Sequence, residues 1–364
     1  MSCQFSSEPF ISFLQDIDPL STYTIVQLSG GLVNFTVRAT KTSNPDTGFF
    51  MGHKTLVIKH ALPFVASIGE GAPLSPFRQV VEQRALDILK ATPFAQNSSQ
   101  VAVPSVLHHD DQRHMLVITD LGDNLITIDK WLENNPGKDQ LADVARRLGT
   151  FLAALHTLEI PEETFQALDN PDIIEAIERD VVDRVNGIID TLCTDDESRD
   201  LGKMLKDEYR KSPRQWVFSV GDLWIGSILV SPLGETVAIV DWENAGRGKP
   251  LQDMGQFASH FNSPSVGEGA GIFIRGLFDW YRREALSAKA MWMELSPYRD
   301  EAIESAWILQ GREIVYRAGE LSDNSKRQEL AECGFKYLRA AKRRLCEVDV
   351  LEETFLRPLY SLRD

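Results

Sequence analysis

Residues 216–255 read WVFSVGDLWIGSILVSPLGETVAIVDWENAGRGKPLQDMG and combine short apolar runs with acidic turns. The apolar run Trp216–Phe218 leads into a polar turn that holds Asp222, and Ser227 follows five residues later. A carboxylate in such a turn can accept the proton of an acceptor hydroxyl. Acidic residues are also common in ordinary surface turns, so this turn alone leaves a solvated loop as an alternative.

Two β-like runs follow, Ile228–Val230 and Thr236–Val240, and the second ends in a carboxylate pair, Asp241 and Glu243. A hairpin made of these runs would fold the pair onto the turn that holds Asp222. Phosphoryl transfer uses this combination, with one base at the acceptor hydroxyl and hard oxygen ligands for Mg²⁺ beside it. A surface hairpin with solvated acidic turns is the alternative interpretation.

This stretch resembles the catalytic core of the aminoglycoside phosphotransferase and choline kinase-like superfamily. The family pattern is His-Gly-Asp-Leu-x-x-x-Asn, then Ile-Asp-Trp-Glu, then Gly-x-Pro-x-x-Asp. Here the three parts are Val220–Ser227, Val240–Glu243 and Gly248–Asp253. Val220 replaces the family's His and Ser227 replaces its Asn. The Gly-Ser ending is similar to methylthioribose kinases, and fungal hydroxytryptamine kinases also lack the His.

The resemblance implies a role for each matching acidic residue. Asp222 would be the catalytic base, and Asp241 and Glu243 would bind Mg²⁺ that bridges the phosphates of ATP. Ser227 would reach the same metal through its hydroxyl, less firmly than an amide oxygen. Asp253 is expected to cap a helix or brace a loop.

The first third of the chain carries the features of a nucleotide site. Ser29, Gly30, Gly31 and Asn34 lie in a loop between two predicted strands, where adjacent glycines let the backbone approach a phosphate. A plain β-turn is the alternative.

A lysine and a glutamate complete the predicted nucleotide site. Lys59 ends the next predicted strand, and Glu82 on the following helix is the carboxylate that would orient it, as in the kinase Lys–Glu pair. The resemblance extends to both segments and implies that ATP binds there. It also implies that the backbone of Thr119, Asp120 and Leu121 meets the adenine.

The pattern of elements predicts an α+β protein with a bilobal, protein kinase-like fold. We expect a small β-rich N-terminal lobe over residues 1–119, a hinge at 120–123 and a larger helical C-terminal lobe over 124–364. The predicted strands are Tyr23–Leu28, Val33–Thr40, Thr55–His60, Ser105–His109 and His114–Thr119. The predicted helices are 1–20, 77–91, 139–157, 173–190, 197–211, 252–261, 269–287, 297–320 and 324–347.

Composition narrows the possible partners. The chain has 364 residues and a formal net charge of −15, which argues against nucleic acid or an anionic membrane as a partner. No apolar run is long enough to span a bilayer, and the first residues lack the basic and apolar regions of a signal peptide. The four cysteines show no metal-binding or redox spacing. We therefore expect a cytoplasmic monomer or homodimer.

The acceptor is less well defined by the sequence than the nucleotide. The family and the acidic balance favour a small hydroxyl compound that carries an amine, with an amino alcohol, an aminoglycoside-like compound or a sugar left open. Trp224, beside Asp222, and Arg312, at the position of a sugar-binding Arg pair in methylthioribose kinases, are the candidate substrate residues. The departures at Val220 and Ser227 leave a nucleotide-binding pseudokinase as the alternative. A protein kinase is disfavoured because Asp-Phe-Gly and Ala-Pro-Glu segments are missing.

Overall fold

A computed structural model describes residues 5–29, 31–92, 100–192, 196–262, 268–294, 297–342 and 354–359. The chain divides into two compact units. The first contains residues 1–125 together with two short segments, 170–173 and 238–244, and the second contains 126–169, 174–237 and 245–364. Of the four cysteines, Cys333 lies in the described part of the chain and is a free thiol, while Cys3, Cys193 and Cys346 lie outside it.

The first unit is built on a five-stranded antiparallel sheet with two helices. In chain order its elements are α1 (Glu8–Ile17), β1 (Tyr23–Gln27), β2 (Phe35–Lys41), β3 (Thr55–His60), α2 (Arg78–Ala91), β4 (Val106–Asp110) and β5 (Met115–Thr119). The strand order is β1-β2-β3-β5-β4. The sheet confirms the five predicted strands to within one residue at each end, except that β2 begins at Phe35, two residues after the predicted Val33.

The core of this unit lies between α1 and the sheet. One face of α1 is apolar, and its phenylalanines are almost fully buried. Alternate residues of the strands supply the other side of the core, as expected for a half-buried sheet. The buried members of the cluster are Phe10, Phe13, Leu14, Val37, Ala39, Phe50, Leu56, Ile58, Met115 and Val117.

The rest of the chain is mainly helical. Its elements are β6 (Ile126–Thr127), α3 (Ile128–Glu133), α4 (Lys138–His156), α5 (Glu162–Leu168), α6 (Pro171–Ile177), α7 (Asp183–Leu192), α8 (Asp196–Arg210), β7 (Val217–Ser219), β8 (Ile228–Val230), β9 (Val237–Ile239), β10 (Gly246–Gly248), α9 (Gln252–Ser259), α10 (Glu268–Ser287), α11 (Pro297–Ala318) and α12 (Asn324–Lys342). Among the described residues, none of the helices is long and apolar enough to cross a membrane.

The helices confirm the predicted α+β class and correct its details. The helix predicted over 173–190 is interrupted, because a π-helical segment, Glu178–Val182, separates α6 from α7. The short elements β6, α3, α5 and β10 were not predicted, since each is too brief to show a clear hydrophobic period. The residues that follow Lys342 in the last predicted helix lie outside the described part of the chain.

Candidate functional site

An acidic cluster in the first unit surrounds one lysine. The Lys59 ammonium on β3 lies 2.7 Å from Glu82 Oε2 on α2 and 2.6 Å from Asp241 Oδ1. Glu243, two residues after Asp241, is the third carboxylate of the cluster. Because Lys59 bridges two carboxylates from distant parts of the chain, the structure brings together four of the predicted site residues.

The segment that carries Asp241 is anchored through its neighbours. The Ile239 amide donates to the Ala102 carbonyl at 3.0 Å, and the indole of the fully buried Trp242 donates to the Ile239 carbonyl at 3.1 Å. The Trp242 amide also donates to Glu82 Oε1 at 3.3 Å. Asp241 itself has a left-handed backbone with φ of 71°, an uncommon conformation that is often found at functional sites. Tertiary contacts therefore hold Asp241 in a backbone conformation that its own sequence does not favour.

Burial and charge act against each other on the ionisable groups of this cluster. Burial would lower the pKa of the Lys59 ammonium, but Asp241, Glu82 and Glu243 outweigh it, and the net pKa is raised. Burial raises the pKa of the Glu82 carboxyl, opposed by Lys59. Burial and the charge of Asp241 raise the pKa of Glu243 to about 7. The three carboxylates outnumber the two cations beside them, Lys59 and Arg78, which favours a bound cation.

A second, fully buried network links Glu243 to the predicted nucleotide loop. Asn34 Nδ2 donates to Glu243 Oε2 at 2.5 Å, and Arg78 Nε donates to Asn34 Oδ1 at 3.0 Å. The Arg78 guanidinium is 3.6 Å from Glu243 and also donates to the carbonyls of Leu62 and Ser75. This arginine was missed in the sequence, although it precedes Glu82 by one helical turn.

The three carboxylates have the chemistry of a magnesium site. One oxygen each of Glu82, Asp241 and Glu243 lies within 4.8 Å of the others. Carboxylate oxygens are the ligands that Mg²⁺ prefers, and Mg²⁺ commonly uses one or two of them together with phosphate oxygens. The Asp241 side chain is 36% exposed, whereas Glu82 and Glu243 are almost fully buried. Asp241 is therefore the carboxylate with the most room for a metal and its other ligands.

The remaining residues that were predicted to bind the nucleotide also lie in the first unit. Ser29 and Gly31 lie in the loop between β1 and β2, and Gly30 lies outside the described residues. The loop is held from the other side because the Ser67 amide donates to the Leu32 carbonyl at 3.0 Å. This contact fixes the backbone at Leu32, two residues ahead of Asn34.

The three residues predicted to meet the adenine have different surroundings. Thr119 ends β5, and its hydroxyl oxygen accepts from the Ser105 amide at 2.9 Å. The Asp120 carboxylate pairs with Arg38 at 2.6 Å, so its side chain serves the local structure. Leu121 follows, and it is half-buried.

In the second unit, Asp222 lies on a loop that is braced by helix α9. Asp253 accepts from the amides of Val220, at 2.8 Å, and Gly221, at 3.2 Å. The Gln256 side-chain amide donates to the Asp222 carboxylate. Val220 is fully buried, so apolar packing occupies the position where the family has His. The expected loop-bracing role of Asp253 is confirmed.

The same loop contains Trp224 and Ser227. The Ser227 hydroxyl donates to the Trp224 carbonyl at 2.8 Å and accepts from the Trp224 amide at 3.1 Å, which closes the turn. The indole of Trp224 folds over Gly226, where an added Cβ would lie 2.4 Å from the ring. Its ring centroid is 6.4 Å from that of His260, a residue that was missed in the sequence. Burial and the charge of Arg317 lower the pKa of His260 to about 3.

Arg312 lies elsewhere in the second unit, on α11. Its guanidinium pairs with the carboxylate of the adjacent Glu313, and both side chains are mostly buried. A pocket also lies in this unit, between the end of α8, Lys249 and the start of α11. Its walls include Trp292 and Tyr298, and none of the predicted site residues lines it. This pocket therefore does not locate the acceptor.

Comparisons with known proteins agree with the motifs. A sequence profile of the phosphotransferase enzyme family matches residues 72–286. A 4-hydroxytryptamine kinase of Psilocybe cyanescens is 27% identical over 336 residues, which cover 83% of this chain and 89% of that protein. A methylthioribose kinase of Bacillus cereus (strain G9842) is 32% identical over 228 residues, and the match spans only 55% of that protein.

Comparison with a solved structure also places the fold among the phosphotransferases. A protein of Ralstonia eutropha assigned as an aminoglycoside phosphotransferase matches with a TM-score of 0.53 at 13% identity, covering 94% of this chain and 98% of that one. At this identity the match shows the fold alone. It confirms the predicted bilobal, protein kinase-like fold.

Proposed function

Because this chain belongs to the phosphotransferase enzyme family and transfers phosphate to a hydroxyl group, we propose that it uses ATP and Mg²⁺ to phosphorylate a small molecule. The observation that carries the proposal is the contact of Lys59 with both Glu82 and Asp241. A lysine oriented by a helix glutamate, beside a metal-binding aspartate, is the arrangement that kinases use to hold nucleotide phosphates.

Each charged residue of the first unit has a role in this proposal. Lys59 would bind the nucleotide phosphates, and Glu82 would keep its ammonium in position. Asp241 and Glu243 would hold Mg²⁺. When bound, the metal would offset the charge on the phosphates as the reaction proceeds. The loop with Ser29, Gly31 and Asn34 would cover the phosphates, and the Thr119–Leu121 backbone would meet the adenine.

Asp222 would act as the base of the reaction. Its carboxylate would accept the proton of the acceptor hydroxyl as the hydroxyl oxygen bonds to the γ-phosphorus of ATP. The bond between that phosphorus and the β,γ-bridging oxygen would break, and ADP would leave. The bracing of Val220 and Gly221 by Asp253 fixes the backbone on which this carboxylate is carried. Apolar packing of Val220 supports the same loop without the family's His.

For the acceptor, we favour a small hydroxylated amine with a flat ring. Trp224, two residues from Asp222, and His260 place two aromatic rings side by side with their planes tilted by 44°, and the relative from Psilocybe cyanescens that matches most of this chain is named for a hydroxytryptamine. Arg312, whose charge is already paired with Glu313, gives less support to a sugar. The acceptor classes that remain to be compared with it are an amino alcohol, an aminoglycoside-like compound and a sugar.

The test is a screen for ADP release with Mg²⁺ and ATP over hydroxyaryl amines, amino alcohols, aminoglycosides and thiosugars. Asp222→Ala should lower kcat by about 10²- to 10⁴-fold. The affinity for ATP, measured by calorimetry, should change little. Asp46→Ala, at an exposed turn, is the matched control and should keep full activity. ATP binding without ADP release for any acceptor would instead identify a non-catalytic nucleotide-binding protein.

A further inference from the structure

Helix α9 contacts the Asp222 loop at two positions that are one helical turn apart. Asp253 accepts from the backbone amides of Val220 and Gly221. Three residues later, Gln256 donates its side-chain amide to Oδ1 of Asp222. Residues three apart on a helix lie on the same face, so one face of α9 holds both the backbone of the loop and the carboxylate that it carries.

The chemistry of Gln256 suits a contact with a base. A primary amide donates hydrogen bonds but does not accept a proton from a carboxylic acid at neutral pH. A donor to a carboxylate favours its charged form and restricts its rotation. Gln256 is only 8% exposed, so water competes little for this hydrogen bond.

The helix that carries Gln256 is itself held firmly. Gly255 packs against α11 so closely that an added Cβ would lie 2.4 Å from the Ala306 carbonyl oxygen. On the other side, Asp253 is 3.0 Å from His156 Nε2, and His156 Nδ1 is 2.8 Å from the Tyr281 hydroxyl. A donor on such a support can fix a carboxylate to within the small tolerance that catalysis requires.

We propose that Gln256 is a positioning residue that orients the Asp222 carboxylate toward the acceptor hydroxyl. Its amide holds Oδ1, so that the rotation of the carboxylate is set by α9 and not by the solvent. The inference rests on the proposed role of Asp222 as the base. It adds a residue that the motif Val220–Ser227 does not contain.

Two variants of Gln256 and one control test this role. Gln256→Met keeps the length of the side chain but removes the donor, and kcat should fall by about 10- to 100-fold because the base loses its fixed orientation. The KM for ATP and the melting temperature should change little. The control is Gln252→Met, one turn earlier on α9, where the side chain accepts from the Lys249 amide and does not touch Asp222.

Gln256→Glu gives a signature that a purely structural role would not produce. At pH 8 the introduced carboxylate cannot donate to Asp222, and kcat should fall at least as far as in Gln256→Met. At lower pH the introduced carboxyl binds a proton and can donate again, so the ratio of variant to wild-type kcat should rise. A ratio independent of pH, or wild-type kcat in Gln256→Met, would overturn the proposal.

A second measurement does not depend on turnover. In protein labelled with ¹³C at the aspartate carboxyl carbons, loss of the donor in Gln256→Met should raise the titration midpoint of Asp222 by about one pH unit, since a hydrogen bond to a charged group contributes on that scale. An unchanged midpoint would refute the contact even if no acceptor were found. An upward shift in a protein that turns over no acceptor would support the positioning and refute the proposed catalysis.

Discussion

The acidic cluster of the first unit and the Asp222 loop of the second unit hold their carboxylates in different ways. Glu82, Asp241 and Glu243 are arranged around opposite charges, with Lys59 between two of them and Arg78 beside the third. The Asp222 carboxylate accepts from the neutral side-chain amide of Gln256, and Asp253 accepts from the backbone amides of the same loop.

The difference matches the work that each region is proposed to do. Ion pairs in a buried site carry a large desolvation cost. The balance between this cost and the attraction of the paired charges changes when a cation or a phosphate binds. A group that must accept a proton is better held by neutral donors, which keep it charged without adding a competing cation. The cluster should therefore respond strongly to charge changes, and the loop mainly to changes of geometry.

Lys59→Met should have the largest effect, because it removes the charge on which the cluster depends. It leaves two closely spaced carboxylates without their shared cation, and we expect a loss of about 3–5 kcal/mol in the free energy of unfolding. Urea denaturation measures this loss, and turnover should fall below detection. Lys54→Met, an exposed position just before β3, should leave both quantities near their wild-type values.

Glu243→Gln should have a smaller effect whose sign depends on pH. The folded pKa of Glu243 is raised to about 7 from an ordinary value of 4.5, so its favourable contribution is present below pH 4.5 and is lost as pH rises through 7. In the presence of EDTA, the variant should be more stable than the wild type at pH 8, by about 1–3 kcal/mol, a range set by the size of the pKa shift.

The same comparison at lower pH is the internal control. At pH 5 the buried carboxyl is already protonated in the folded wild type, so the advantage of Glu243→Gln should be much smaller. Addition of Mg²⁺ at pH 8 should stabilise the wild type more than the variant, since the metal favours the carboxylate. A pH-independent difference between the two proteins would show that Glu243 is not the titrating group.

His260→Gln should have the smallest effect and tests the second unit for pH sensitivity. The folded pKa of His260 is lowered to about 3 from 6.5, so its contribution to stability is complete above pH 6.5 and is lost as pH falls toward 3. Between pH 7 and pH 5 the wild type should lose about 1 kcal/mol more than the variant, allowing for partial exposure. Parallel stability curves for the two proteins would contradict this assignment.

The sequence predicted the fold class well because its elements have clear periodicities. Strand Thr55–His60 was predicted with its observed bounds, and the helices around Lys138–His156 and Glu268–Ser287 were predicted to within one residue at either end. The π-helical interruption at Glu178–Val182 was not visible, because a single inserted residue barely changes a helical pattern.

The motifs and their order resemble those of the aminoglycoside phosphotransferase superfamily, and this resemblance was enough to predict a phosphotransferase. It also selected the candidate residues Lys59, Glu82, Asp222, Asp241 and Glu243. Only the tertiary structure showed that Arg78 and Asn34 reach Glu243 and that Gln256 reaches Asp222. Arg78 and Gln256 are ordinary helix residues in the sequence, and Asn34 was predicted only as part of the nucleotide loop. Their roles depend on side chains that are between 34 and 209 positions apart in the chain, and no local pattern records such distances.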